Sequence, residues 1–343
     1  MKSQIDGELV EMVEEEIREL LEGRARQRML YDMMRYHLGW LDEELRPVEQ
    51  YKGKRFRPLL CLLTYNALSG VYDKAVPAAA AIELIHNFSL IHDDIEDRDE
   101  ERRHKPTVWK LWGDAHAINV GDGMHVLANL AALRLKDVNV TEAKVVEVLQ
   151  ILNETVMTLC EGQYLDMSFE ERLDVTTKEY LEMIRCKTAA LIESSVHVGA
   201  VLATEDEKTI KNLRRFGRDI GMAFQIRDDI IGTWGDPKST GKPRGSDIGN
   251  RKKTLPVIYV FERSSAKERK ELASLYSGNK RLTKREIAFV IKKMEEKGAY
   301  EYAVDTAAAY EKNALKALRK VKLMGEAEEK ITSLVDFLIN RDY

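Results

Sequence analysis

Apolar positions along this chain recur at helical spacing from near its start almost to its end. Residues 10–40 carry Val10, Val13, Ile17, Leu20 and Leu21, then Leu30, Met33 and Met34, three or four residues apart. That pattern predicts one long helix or a helical hairpin. Residues 58–68 are apolar almost throughout, which predicts a central helix. Residues 77–92 predict another, with four consecutive alanines at 78–81 that permit close helix contact. The series continues over 115–135, 141–167, 177–202 and 205–231, and closes with 284–297, 300–321 and 325–341. No alternating strand pattern of convincing length appears. Seven prolines in 343 residues leave these stretches uninterrupted. Pro and Gly concentrate in residues 232–256, which predicts a long polar loop. Loops beyond ~15 residues are usually functional or disordered. No repeat, low-complexity tract or linker divides the chain, so one all-α domain over residues 1–343 is expected.

Two of the apolar helices end in acids. Residues 90–97 read LIHDDIED, and residues 224–231 read FQIRDDII. A buried helix does not normally present adjacent aspartates, because unpaired buried charge is costly. The pattern predicts two carboxylate walls facing one cavity, with cations between them. Asp93 and Asp97 lie about 400° apart on a helix, so they share a face roughly 6 Å apart along the axis. That spacing suits Mg²⁺, which takes a few carboxylates and keeps waters or phosphate oxygens. The competing reading is a solvated charged turn, since residues 98–105 continue the charge run. The apolar set Ile82, Leu84, Ile85, Phe88, Leu90 and Ile91 argues against it by burying the helix.

Cationic residues surround these acids in sequence. Arg102 and Arg103 follow Asp93 closely, and guanidinium forks bind phosphate oxygens bidentately. Lys54, Arg55 and Arg57 stand immediately before the central helix. His86 lies two turns before Asp93 on the same face, although a lone His on an apolar helix is more often a core residue. Lys187 and Thr188 fall in mid-helix, where a solvated face is the alternative. Lys242 and Lys252 flank Gly245 and Asp247 in the long loop, a plausible flap over phosphates. Each feature is weak alone. Together they form the inventory for two diphosphates held with several divalent cations. No GxxxxGK[ST], GxGxxG, HExxH or nucleophile elbow occurs, so the diphosphates belong to something other than a nucleotide.

Composition narrows the class further. The chain is 44% hydrophobic and 33% charged, ample for a packed core. Its net charge of −4 gives no general case for nucleic acid. Cys61, Cys160 and Cys186 form no CxxC pair and read as reduced thiols. The acidic, amphipathic N-terminus lacks a signal-type apolar run, and no stretch approaches the ~20 apolar residues of a membrane span. A cytoplasmic protein without stable membrane insertion is expected.

Seven segments carry a resemblance: GKRFRP (53–58), ELIHNFSLIHDDIED (83–97), RRHKPT (102–107), GQYLDM (162–167), KTAAL (187–191), FQIRDD (224–229) and GKPRGSDIGNRKKTLP (241–256). In order and spacing they resemble the trans-isoprenyl diphosphate synthase, or polyprenyl synthetase, family, over roughly residues 50–260. The resemblance implies an all-α, single-domain barrel or bundle of about a dozen helices around a deep central cavity, usually a homodimer. It implies Mg²⁺-dependent head-to-tail condensation of isopentenyl diphosphate with an allylic diphosphate. Lys54, Arg57, His86 and Arg103 would hold isopentenyl diphosphate. Arg102, Lys187, Thr188, Gln225, Lys242 and Lys252 would hold the allylic diphosphate. Asp93 and Asp97 would bind two Mg²⁺ ions and Asp228 a third. Asp93, Asp97, Asp228, Arg102 and Lys187 would be the catalytic set.

Two positions depart from the family pattern. Its second acid motif usually ends in Asp, but residue 232 is Gly, for which Asp236 is a candidate substitute. His104 stands where the family often has Gly. Chain length is expected to depend on the α-helix before Asp93: Ser89 lets the growing chain pass, and Phe88 closes its path. Geranylgeranyl diphosphate is the expected product, with farnesyl diphosphate the alternative. A class I terpene cyclase or a non-catalytic partner of another prenyltransferase would share the fold. The cyclase would not need Lys54, Arg57 and His86, and the non-catalytic subunit need not keep every phosphate ligand.

Overall fold

The chain, taken here as a computed structural model, is helical over 78% of its length, as the apolar spacing predicts. The structure describes residues 2–22, 27–48, 55–236, 244–278 and 280–339. The first pattern resolves into two helices, α1 (Lys2–Glu22) and α2 (Arg28–Leu38). They are followed by α3 (Phe56–Ser69), α4 (Val76–Glu96), α5 (Val108–Trp112), α6 (Asp114–Leu133) and α7 (Glu142–Glu170). The helix expected over 177–202 is broken. It runs as α8 (Thr177–Ile184), a π turn (Arg185–Ala189) and α9 (Ala190–Ala203). Next come α10 (Glu207–Trp234) and a short α11 (Ser246–Gly249) inside the segment read as a loop. Then follow α12 (Leu255–Arg263) and α13 (Ala266–Tyr276), which, like α5 and α11, are new to the sequence reading. The rest are α14 (Lys284–Glu296), α15 (Ala299–Leu318) and α16 (Ala327–Ile339). Two-residue strands, β1 (Glu101–Arg102) and β2 (Lys105–Pro106), make one tight antiparallel hairpin.

These elements form two compact units. The first comprises Met1–Asn153, Ser195–Asp206 and Leu323–Glu328. Its centre is α4, which packs on α1, α3 and α6. The alanines at 78–81 are fully buried, because a methyl side chain lets neighbouring backbones approach. Gly199 of α9 serves the same end against α3, where a Cβ would come within 2.5 Å of the Cys61 carbonyl oxygen. One ionic network lies inside this core. Arg55 donates to Glu14 Oε1 at 2.8 Å, to Glu83 Oε1 at 2.5 Å and to the Leu38 carbonyl at 3.1 Å. Asn87 adds a bond to Glu83, and Trp40 Nε1 a bond to Glu14. Buried charges survive only when paired and hydrogen-bonded in this way. Arg55, sandwiched between two phosphate-ligand candidates in sequence, thus faces the core.

The second unit comprises Glu154–Ser194, Glu207–Lys322 and Glu329–Tyr343. Here α10 packs along α15 and against the π turn. Tyr180, Ile184, Met222, Ile226, Leu255 and Ile258 fill the core between them. Val260, Phe261, Leu272, Val290 and Met294 fill a second cluster under α12, α13 and α14. Each fully buried Val, Ile, Leu or Met adds about 1.5–3 kcal/mol of hydrophobic stabilisation. Among the described residues, no helix is long and apolar enough to cross a membrane.

Candidate functional site

In the first unit the site is the C-terminal end of α4. Asp97 ends the helix, its N–H donating to the Asp93 carbonyl at 2.8 Å. Asp93 is half-buried and Asp97 exposed, whereas Asp94 between them is 1% exposed. Arg102 reaches Asp94 Oδ1 through Nε at 2.7 Å and Nη2 at 2.6 Å. Burial pushes the Asp94 carboxyl up to about 6, with Arg102 working in the other direction. Arg102 is therefore engaged by an acid of its own segment. The hairpin that delivers it turns at Arg103 (φ 53°) and His104 (φ 63°). Both are left-handed, the conformation that tight two-residue hairpins demand and that Gly adopts most easily. Where the family often has Gly, this chain strains a histidine.

Asp94, Arg102, Arg103, Lys105, Tyr36 and His37 share a cavity of about 300 Å³. Close by, Arg57 Nη1 lies 3.2 Å from His86 Nε2. Burial, reinforced by Arg57, Arg103, Arg102 and Arg55, holds His86 well below its ordinary value, so its imidazole is neutral. A neutral ring beside guanidinium groups accepts one hydrogen bond and donates another, which suits an imidazole that orders cations around an anion. The structure thus brings Arg57, His86, Arg102 and Arg103 into one electrostatic neighbourhood. Deeper on α4, Phe88 is 8% exposed, with ring centroids 5.0 Å from His125 and 5.8 Å from His92. Ser89 is half-buried and turns its hydroxyl back to the His86 carbonyl at 2.9 Å.

In the second unit the site is the middle and end of α10. Asp228 is exposed and Asp229 is 1% exposed. Tyr180 Oη donates to Asp229 Oδ2 at 2.5 Å, the Leu255 N–H donates to the same oxygen at 3.1 Å, and Gln225 Nε2 donates to Oδ1 at 3.1 Å. Burial again pushes the carboxyl up to about 6, against Lys252 and these donors. Thr188 Oγ1 donates to Gln225 Oε1 at 2.9 Å, which joins two predicted ligands. Lys187 Nζ binds Asp166 Oδ2 at 2.5 Å. Lys187 belongs to the π turn, an irregularity often found at functional sites. Two glycines make room for that turn. A Cβ on Gly162 would lie 2.3 Å from the Lys187 nitrogen, and one on Gly221 would lie 2.6 Å from the Ala189 Cα.

Crowding by neighbouring atoms works against the Lys252 ammonium, although the residue still reaches solvent. The carboxylates of Asp247, Asp229, Asp166 and Asp228 outweigh it and raise the pKa above its ordinary value. Lys253 differs. Its ammonium donates to the carbonyls of Phe169, Glu170 and Arg172 at the end of α7. Its role is to cap a helix. Lys54 and Lys242 lie outside the described residues. Sequence reasoning gave no role to Asp166, Tyr180 or Asp229. Asp166 sits in the quoted GQYLDM segment, which was its signal, whereas Tyr180 lies in no motif.

Among the described residues, no three His, Cys, Asp or Glu side chains cluster tightly enough to hold a metal by themselves. Asp93 and Asp97, one turn apart at an accessible helix end, offer a pair. That fits Mg²⁺, which is bound through one or two carboxylates and completes its shell with water and phosphate oxygens.

A family model for polyprenyl synthetase matches residues 39–294. A short chain isoprenyl diphosphate synthase from Methanothermobacter thermautotrophicus is 43% identical over 292 residues, 85% of this chain and 87% of that one. A (2E,6E)-farnesyl diphosphate synthase from Mycobacterium tuberculosis is 39% identical over 308 residues, 89% of this chain and 84% of its own. The crystal structure of a geranylgeranyl pyrophosphate synthetase from Pyrococcus horikoshii superposes with a TM-score of 0.88 at 37% identity, covering 99% of both chains. Other relatives carry the names geranylgeranyl and geranylfarnesyl diphosphate synthase.

Proposed function

The chain belongs to the polyprenyl synthetase family, and on that premise we propose that it condenses isopentenyl diphosphate with allylic diphosphates to make geranylgeranyl diphosphate. It is a prenyltransferase that makes short-chain prenyl diphosphates; the C20 length is the part proposed. Residues 1–343 are proposed to act as one catalytic domain and as a homodimer. Exposed apolar side chains on α6 (Ile118, Val126, Leu133) and on α7 (Met157, Tyr164, Met167) support the dimer.

In this reading Asp93 and Asp97 hold two Mg²⁺ ions and Asp228 holds a third. The metal supplies positive charge against the departing diphosphate. Arg102, Lys187, Thr188, Gln225 and Lys252 orient the allylic diphosphate, together with Lys242. Arg57, His86 and Arg103, together with Lys54, orient isopentenyl diphosphate. The allylic C–O bond breaks, the double bond of isopentenyl diphosphate attacks the carbocation, and the released diphosphate takes the proton. Apolar walls on α4 keep water from the carbocation.

The observation that carries the reading is the sorting of each aspartate pair into one accessible and one internally bonded carboxylate, on a unit that also gathers cations. Phe88, seated on His125 below Ser89, supports the C20 product. Farnesyl diphosphate is the second reading, favoured by the Mycobacterium tuberculosis relative. Incubation with Mg²⁺, isopentenyl diphosphate and an allylic diphosphate, then chromatography of the dephosphorylated products, tests all of it. A C20 alcohol supports the proposal, and a C15 alcohol selects the second reading. A hydrocarbon would mark a cyclase, and no product from the folded protein would mark a non-catalytic subunit. Phe88→Ala should lengthen the product; an unchanged length with a stability loss of about 3–5 kcal/mol would make Phe88 ordinary core.

A further inference from the structure

Arg55 stands immediately before α3 in a left-handed backbone conformation, φ 44° and ψ 32°. Long side chains rarely adopt that conformation, and it persists where the surroundings over-determine it. Here the surroundings are three groups around its guanidinium. Nε donates to Glu14 of α1, Nη1 to Glu83 of α4, and Nη2 to the Leu38 carbonyl at the end of α2. One side chain thus ties the start of α3 to three other helices of the same unit. Both acids are held in turn. Trp40 Nε1 donates to Glu14 Oε2 at 2.5 Å, and Asn87 Nδ2 donates to Glu83 Oε1 at 2.6 Å.

Arg57 lies two residues further on, inside the first turn of α3, and also meets α4. Its partner there is His86, at 3.2 Å. Glu83 and His86 are three residues apart on α4, so they share a face. The start of α3 is therefore joined to α4 by two rungs. The Arg55–Glu83 rung is buried and charge-assisted, and it is the stronger of the two. The Arg57–His86 rung joins a guanidinium to a neutral ring, and Arg57 is half-buried. The buried rung sets where the second one falls.

We propose that Arg55 is a positioning residue for isopentenyl diphosphate: its bonds to Glu14 and Glu83 fix the first turn of α3 against α4 and so aim Arg57 beside His86. This rests on the reading of Arg57 and His86 as ligands of that substrate. The Arg55 side chain is 1% exposed, so it acts through Arg57 and not by contact. Helix α1, which carries no predicted ligand, enters substrate recognition through Glu14.

The test is steady-state kinetics of the full chain with Mg²⁺, isopentenyl diphosphate and geranyl diphosphate, each substrate varied against saturating amounts of the other. Arg55→Lys keeps the charge but replaces the fork with a single ammonium. It should raise the KM for isopentenyl diphosphate about tenfold or more, and leave kcat and the KM for geranyl diphosphate within about twofold. In an Arg57→Ala background the same change should add less than about twofold, because residues that act as a unit do not contribute independently. Glu14→Gln, on α1, should raise the KM for the same substrate, so the test survives if Arg55→Lys folds poorly. A pair that only stabilised the fold would lower the melting temperature of these variants and leave both KM values of the folded enzyme unchanged. That result overturns the inference, as does an equal rise in both KM values or a full multiplicative loss in the double variant. Each leaves the proposed reaction intact. A folded wild-type protein that does not consume isopentenyl diphosphate overturns both.

Discussion

On α4, Asp93 faces outward and Asp94 inward; on α10, Asp228 faces outward and Asp229 inward. The two inward acids are both buried and both shifted upward, but they are held by different chemistry. Asp94 takes a two-pronged guanidinium from Arg102. Asp229 takes neutral donors: a tyrosine hydroxyl, an amide and a backbone N–H, with the charge of Lys252 acting at longer range. The outward sides differ as well. On α4 the second outward acid, Asp97, is carried by the same helix, whereas on α10 that space is filled by Asp247 from the following loop. Adjacent aspartates at the end of an apolar helix are thus a division of labour. One is accessible, and its buried neighbour ties the helix to other elements.

The inward pair offers the largest effects. Asp94→Ala strands the part-buried Arg102 guanidinium; breaking a fully buried ion pair costs about 3–5 kcal/mol, which sets the upper end of the expected loss. Asp229→Ala strands three neutral donors, each worth about 1–3 kcal/mol if left unsatisfied. Chemical denaturation of both variants checks the comparison. A loss for Asp229→Ala within the ±0.5 kcal/mol typical of surface changes would break the parallel.

The outward pair should behave in the opposite way. Asp93→Ala and Asp228→Ala should each keep the fold and lose at least ~100-fold in turnover, the scale of removing a main electrostatic stabiliser. Near-normal turnover by a folded Asp93→Ala protein would remove α4 from the chemistry.

A smaller effect is expected with pH. Burial raises both inward carboxyls from 3.8 to about 6. A raised carboxyl binds its proton more tightly in the folded chain than in the unfolded one. Its contribution to stability is therefore complete below about 3.8 and is lost as pH rises through about 6. In metal-free buffer, the melting temperature of wild type minus that of Asp94→Asn, or of Asp229→Asn, should fall between pH 4 and 6. A difference that climbs over that window would mean that Arg102 or Lys252 holds the carboxyl low instead.

The smallest prediction concerns the hairpin that carries Arg102, for which α10 has no counterpart. His104→Gly should relieve a left-handed residue and raise stability by up to about 1 kcal/mol, read from the denaturation midpoint. A loss of stability would show that the histidine ring holds the turn in place.

Much of this was legible in the linear chain. Apolar spacing located α3, α4, α6, α7 and α10, because a helix with a buried face must repeat every three to four residues. The acid segments, and the pairing of cations with them, were legible because charge at the end of a buried helix has few explanations. The π turn was not, since a single inserted residue leaves the local composition helical. Nor was α13, whose sequence AKERKELASLY is mostly polar and is placed by a capping box at Ser265 and by the burial of Leu272 and Tyr276 in a cluster formed by other elements. Arg55 and Arg57 are two residues apart and chemically alike. Only the packing sends the first to Glu14 and Glu83 and leaves the second beside His86.

The chain by itself determined which chemistry was present: helical elements, two acid segments and the cations for diphosphates, all properties of residue type and short-range spacing. The tertiary structure decided which copy of each residue is buried and which partner it meets. It set Asp93 apart from Asp94, Lys252 from Lys253, and Asp228 from Asp229. Those choices depend on burial and on partners far away in sequence, such as Tyr180 for Asp229 and Gly232 for Asp247, and no local pattern encodes a distance of that kind.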